Sequence, residues 1–490
     1  MNTSEVYLRK NNIVIVLFLI VSFILSAYAI IEIIGKPTGR TGWYLSIALC
    51  SMTWVVFYLV AAWSTFRHVY LFSTAYLTAL ILFHLGLFYQ RTFGNIKFPQ
   101  AWEQGSFSSW LELSGWYIIL SLAAFGIGFA IAALTGKKHL KNIDQDLILR
   151  AKKAGHWSAI GLLVASAIFF AMALYSYGNL LNYARHEIFS SNLDSRGFGV
   201  FMMIFPGSIL LYFFSATTKT QYILGFSLAA FAFLMFMFSG YRSAALFPSL
   251  VGVALWVKSG HRLPLPIVVG GVALVLMLTA ASGYLRTTGK YSEMKMSDVS
   301  KALNDASIED SISEMGASVK ALASVVRLVP KTDDYRYGSS YFYSVVDAFP
   351  NMGFNINTEG SREYALKQKG KDPDVIRNLR PADWLTYRIA PWHFKQGYGV
   401  GFSAIAEPFL NFGTAGVFFF FVALGYGLGR LDSLPIFQSP YLYIFSASML
   451  WPLVRTVRND SANFFKPVIF TLIILWAWWL FSKIFLNKKI

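Results

Sequence analysis

Apolar runs of about 17 residues or more recur along almost the whole of this chain. At about 1.5 Å rise per residue, each is long enough to cross a hydrocarbon layer of about 30 Å. The runs fall at 13–34, 43–63, 69–89, 116–134, 157–177, 198–216, 222–238, 244–257, 267–283, about 409–429, 440–454 and 467–482. This pattern predicts an all-α polytopic membrane protein of about twelve transmembrane helices, with the eighth and eleventh spans the shortest. Composition agrees: 56% of the 490 residues are hydrophobic and 14% are charged, against about 25% charged in a soluble domain. Aromatic residues make up 17%, and Trp43, Trp63, Trp116 and Trp157 sit at run ends, where interfacial belts form. The single cysteine, Cys50, lies inside an apolar run and permits no internal disulfide. The formal charge of +17 sits in membrane loops, so it speaks for orientation and phosphate binding rather than for nucleic acid.

The first run follows Arg9-Lys10. Ala27-Tyr28-Ala29 faintly resembles a signal cleavage site, but the run continues past it to Ile34, which favours a retained anchor. The densest basic cluster is Lys137, Lys138, Lys141, Arg150, Lys152 and Lys153. Placing it inside puts both termini in the cytoplasm and turns the long loop outward. That loop, 284–402, is the one long hydrophilic segment, and roughly 120 residues is too long for a connector. The chain therefore divides into spans 1–9 (1–283), a large outward loop between spans 9 and 10 (284–402), and spans 10–12 (403–490). Within the loop, helical spacing of apolar residues over 296–329 predicts an amphipathic helix that Pro330 stops. Residues 341–349 suggest a second helix, and 351–381 is polar and expected to move.

Several constellations carry possible chemistry. Ser239-Gly240-Tyr241-Arg242-Ser243 sets an arginine at a membrane boundary, either as a snorkelling side chain or as a fork for phosphate oxygens. Arg455 and Arg458 lie three apart and would share one face of a continuing helix; the plainer reading has Asp460 neutralising one of them. His393, between Trp392 and Phe394 and close to Arg388 and Lys395, is a candidate general base, though a histidine among aromatics is often structural. Gly397-Tyr398-Gly399-Val400-Gly401 is a weak phosphate-cradle pattern or a flexible approach to the next helix. Glu407, at a helix start, either complements the helix dipole or acts as a base or a partner of His393. The pairs Asp144/Asp146 and Asp372/Asp374 read as incidental, and no HExxH, Walker A or Gly-x-Ser-x-Gly motif occurs.

The order of these parts resembles the Wzy-type O-antigen and related polysaccharide polymerases, the bacterial enzymes that join oligosaccharide repeat units. The resemblance rests on Ser-Gly-Tyr-Arg242, on Tyr337-Gly-Ser-Ser-Tyr341 followed by Pro350, and on Gly401-Phe-Ser-Ala-Ile-Ala-Glu407-Pro-Phe-Leu-Asn411-Phe-Gly413. It covers about 235–430, and the last segment is its most specific piece. Many relatives carry arginine directly after the residue corresponding to Pro350; here it is Asn351, so another basic residue must serve.

The resemblance implies a GT-C-like membrane glycosyltransferase of the bacterial inner membrane. It would transfer a growing chain from undecaprenyl diphosphate onto the next lipid-linked repeat unit, without metal or cofactor, alongside membrane lipids and a chain-length-regulating co-polymerase. Arg242, Arg388, Arg455, Arg458 and Lys395 are the candidate diphosphate contacts. His393 is the first candidate base and Glu407 the second, while Trp384, Tyr387, Trp392 and Tyr398 offer faces for sugar stacking. An O-antigen ligase, or a flippase or exporter of lipid-linked oligosaccharide, would also need cations beside a lipid diphosphate.

Overall fold

A computed structural model describes residues 12–35, 42–94, 107–136, 145–177, 196–238, 241–287, 308–346, 348–349, 376, 378–397 and 399–485. Among these, every regular element is helical. The long helices are α1 (Asn12–Ile34), α2 (Trp43–Phe66), α3 (Phe72–Phe93), α4 (Phe107–Thr135), α5 (Gln145–Tyr177), α6 (Arg196–Ser215), α7 (Lys219–Phe238), α8 (Arg242–Lys258) and α9 (Leu265–Thr287). Five short helices follow: α10 (Ile308–Gly316), α11 (Val319–Leu328), α12 (Ser339–Val346), α13 (Pro381–Ile389) and α14 (Pro391–Lys395). The chain ends with α15 (Ala406–Ser433), α16 (Pro440–Ser448), α17 (Trp451–Arg455), a 3₁₀ turn Thr456–Arg458, and α18 (Ala462–Phe485).

Ten of the described helices are long and apolar enough to cross a membrane, fewer than the twelve spans expected. The two shortest expected spans account for the difference. The eighth is α8, a helix of 17 residues. The eleventh breaks into α16 and α17 around Met449 and Leu450, and Pro452 falls in the first turn of α17, where a missing N–H costs no helical bond. The amphipathic stretch expected at 296–329 likewise splits, into α10 and α11, and its first part, 296–307, lies outside the described residues.

α4 is the central post, with 83% of its membrane window buried, whereas α1, α7 and α18 turn long apolar faces outward. Small residues let neighbours approach it. A Cβ on Gly128 would stand 2.0 Å from the Val422 carbonyl oxygen, and one on Gly425 would stand 2.1 Å from that of Phe125, so α4 and α15 cross backbone to backbone.

One end of the bundle is fastened by Asp432, at the close of α15. Its carboxylate accepts from the backbone N–H groups of Phe72 (2.8 Å) and Ser73 (3.1 Å), capping α3 from a distant helix. Lys258, at the C-terminus of α8, donates to the Asp432 carbonyl at 2.7 Å. α8 then runs about 25 Å to the other end, where Arg242 begins it.

Candidate functional site

At that other end, Arg242 is only 8% exposed. Its two terminal nitrogens donate to the two carboxylate oxygens of Glu314 on α10, at 2.7 and 2.5 Å, and one also reaches the Thr279 carbonyl on α9 at 3.2 Å. This is the bidentate fork that arginine makes with planar anions. A small cavity of about 20 Å³ opens beside the pair, and Phe83 of α3, Ser243 and Arg458 line it as well. Arg458 arrives from the far end of the sequence with its guanidinium 5.7 Å from the centre of the Phe83 ring. The structure thus brings Arg242 and Arg458 together. Arg455 is not among the cavity's lining residues; it closes α17, and its carbonyl accepts from the Asn459 side chain at 3.0 Å.

α3 and the glycine segment seat Arg458. The Arg458 carbonyl accepts from the Phe402 N–H at 3.0 Å, and that of Val457 accepts from the Ala404 N–H at 3.3 Å. Gly401 makes the turn into this pairing at φ +79°, a conformation that favours glycine. Between the two bonds lies Ser403, fully buried, with its hydroxyl 2.7 Å from Nε2 of the equally buried His84. The other ring nitrogen of His84 lies 3.2 Å from the Leu80 carbonyl, which can only accept, so Nδ1 carries the proton and the Ser403 hydroxyl donates to Nε2. Just after the glycine segment, residues 402–404 are docked on α3 and on the 3₁₀ turn, while the Val400 N–H donates to the Thr386 hydroxyl of α13 at 3.1 Å.

Glu407 begins α15, which the sequence anticipated, but its setting is not that of an open base. It is 3% exposed and accepts from three donors: the Ser340 hydroxyl (3.0 Å), the Ser461 hydroxyl (2.7 Å) and the Ser461 N–H (2.7 Å). Asn411, one turn on, donates to Ser340 at 2.7 Å and accepts from the Gly338 N–H at 2.9 Å. The helix then kinks at Gly413, with φ +61° and ψ −147°. Glu407 and Asn411 thereby staple the long loop to the helices.

Asp460 carries a second staple. It pairs with Arg380 at 2.9 Å, not with Arg455 or Arg458, and accepts from the Ala382 N–H in the first turn of α13 and from Asn463. Burial alone would push this carboxyl up. The Arg380 guanidinium and the hydrogen bonds outweigh burial and hold it below the ordinary carboxylate value.

Other expected site residues scatter. Arg388 pairs with Asp333. His393 and Lys395 are exposed on α14 beside Trp392, which is 66% exposed, and none of the three lines the cavity. Tyr387 is half-buried edge-on against Phe394. Trp384, expected to stack on sugar, is 1% exposed and lies beneath the Arg336 guanidinium; as the apolar side of α13 it packs into the core. Ser239, Gly240, Tyr398, Asp144, Asp372, Asp374, Pro350, Asn351 and most of 351–381 lie outside the described residues. No group of acidic, histidine or cysteine side chains that would hold a metal occurs among the described residues.

Four residues of the arrangement were missed: Phe83, His84, Glu314 and Ser403. One sequence signal was available, because an ionisable residue such as His84 inside an apolar span is costly without a purpose. Nothing in the sequence separates Glu314 from its acidic neighbours Glu309 and Asp310.

A bundle of membrane-length helices with a small cavity lined by Arg242 and Arg458 at one end defines a multi-pass all-helical membrane protein. The sequence profile described as O-antigen polysaccharide polymerase Wzy matches residues 12–489, nearly the whole chain, and the protein belongs to that family. Comparison with curated proteins and with solved structures gives no match.

Proposed function

We propose that the protein is a GT-C-like glycosyltransferase that polymerises undecaprenyl diphosphate-linked oligosaccharide repeat units into O-antigen or a related surface polysaccharide. It would act at the outer face of the inner membrane with both termini in the cytoplasm. Residues 1–283 and 403–490 would form the membrane part and 284–402 the periplasmic part. The family match supports the polymerase activity. The observation that carries the mechanism is the convergence of Arg242 and Arg458 on one cavity.

The leaving group of this transfer is a lipid diphosphate. Preorganised guanidinium groups in a site shielded from water stabilise the charge that develops on it, the role a divalent metal plays in other transferases. His393 serves as the base that takes the proton of the acceptor hydroxyl, working from the aqueous face of α14 with Trp392 as a platform for sugar. Glu407, saturated by donors, acts as a positioning residue instead. Arg388, Arg455 and Lys395 lie outside the cavity lining and take secondary parts along the path of the substrate. A co-polymerase setting chain length is the partner the family implies.

The test is complementation of a strain lacking the gene. Arg242→Ala, Arg458→Ala and His393→Ala, expressed at normal levels, should leave single repeat units on the lipid core and no long polymer. Normal chain length in Arg242→Ala and His393→Ala would sink the assignment, and a total absence of attached repeats would indicate a ligase instead.

A further inference from the structure

The cavity beside Arg242 has about 20 Å³, room for one water molecule and not for a phosphate group. Yet Arg242 already spends its fork on a carboxylate with the planar, bidentate geometry that a phosphate edge would use. We propose that Glu314 is a built-in placeholder for phosphate: its carboxylate holds the Arg242 seat, and the lipid diphosphate must displace it to bind. This rests on the reading of Arg242 as a diphosphate contact and adds a competitor for that contact within the chain.

The surroundings decide which part moves. α10 is pinned on both sides: Ser313 donates to Gln90 at 2.7 Å, Gln90 donates to the Glu309 carbonyl at 2.6 Å, and Ser311 donates to the Leu276 carbonyl at 2.6 Å. A Cβ on Gly316 would stand 2.6 Å from the Leu87 nitrogen, so the helix backbone lies flush against α3. The Glu314 side chain is 26% exposed and has three rotatable bonds. It can swing toward solvent while α10 stays in place. Gly283 makes the closed seat possible, since a Cβ there would lie 2.7 Å from a Glu314 carboxylate oxygen. When the side chain leaves, two arginines remain around an enlarged cavity, and the incoming diphosphate replaces the lost negative charge. The carboxylate also offsets the buried Arg242 charge between turnovers.

Apparent affinity falls by the fraction of molecules whose seat is open, so weakening the placeholder should tighten binding. The probe is undecaprenyl diphosphate binding to the purified full-length protein in detergent, with the uncharged alcohol undecaprenol as control. Glu314→Gln removes the competing charge and should bind the diphosphate about tenfold more tightly, on the order of one charge-assisted contact. Glu314→Ala empties the seat altogether and should tighten binding by about as much. Arg242→Gln should weaken it by about tenfold or more.

Unchanged or weaker diphosphate binding in both Glu314→Gln and Glu314→Ala overturns the placeholder, as does an equal gain for undecaprenol. If Arg242→Gln still loses affinity in that case, the diphosphate reading of Arg242 stands and only the placeholder falls. If Arg242→Gln binds like the unaltered protein, both fall.

Discussion

Two clusters of buried charge sit where the long loop meets the helices, and they are built on opposite plans. Around Glu407, Asn411 and Asp460 the carboxylate and amide oxygens meet hydroxyl, amide or guanidinium donors within 3.3 Å. Around Arg242 and Arg458 two cations share a cavity with one carboxylate, and a void remains. A saturated polar network fixes a conformation, because any rearrangement strands a buried group. A cationic pocket with a void, lined among the described residues by one half-buried carboxylate, is a place where something else can bind. Of two acidic residues at the same junction, Glu407 therefore holds the loop and Glu314 gates the cavity.

The sharpest way to break this contrast is at Glu407. Glu407→Ala should lower stability by about 3 kcal/mol, since it strands the Ser461 N–H and leaves the Ser461 and Ser340 hydroxyls with only Ser344 and Asn411 as partners, and a thermal melt in detergent would show it. Glu407→Gln is the discriminating partner: a positioning role predicts a lower Tm with substantial turnover kept, whereas a base would lose turnover at unchanged Tm.

Arg242→Ala should leave Tm less affected than activity. The expected loss is about tenfold to a hundredfold in polymerisation rate, equivalent to about 1.5–3 kcal/mol in the barrier. A large fall in Tm with normal specific activity would place Arg242 with the staples instead.

Asp460→Asn should cost about 2 kcal/mol, below the range for a fully buried pair because Arg380 keeps 31% of its side chain exposed. The sign with pH follows from the depressed carboxyl. Its stabilisation is complete above the ordinary carboxylate value near 4 and is lost as pH falls through the lower folded value. Melts between pH 6 and about 3 should show an acid limb that Asp460→Asn flattens; an identical limb in the variant would remove Asp460 from the account.

The smallest effect is expected at Ser403. Ser403→Ala removes the hydrogen bond to His84 and the one accepted from the Ile405 N–H, and should cost about 1–2 kcal/mol in stability. Because Ser403 lies between the two backbone bonds that seat Arg458, KM for the lipid-linked donor should rise more than kcat falls. An unchanged KM would detach the His84 pair from the cavity.

Length and apolarity of the runs determined the membrane class and most of the helices, since a stretch that must satisfy its backbone within lipid has little choice but to coil. The motif around Gly401, Glu407 and Asn411 was legible as a family mark, and Arg242 as an arginine out of place. Their roles were not legible, because role depends on partners distant in sequence. Glu407 became a staple through Ser340 and Ser461, Asp460 took Arg380 rather than Arg455 or Arg458, and Trp384 turned inward under Arg336. Only the tertiary structure set Arg458 beside Arg242 across Phe83 and put Glu314 into the fork. Hydrophobic length is a local property that a sequence states outright, whereas the pairing of charges is settled by which helices touch.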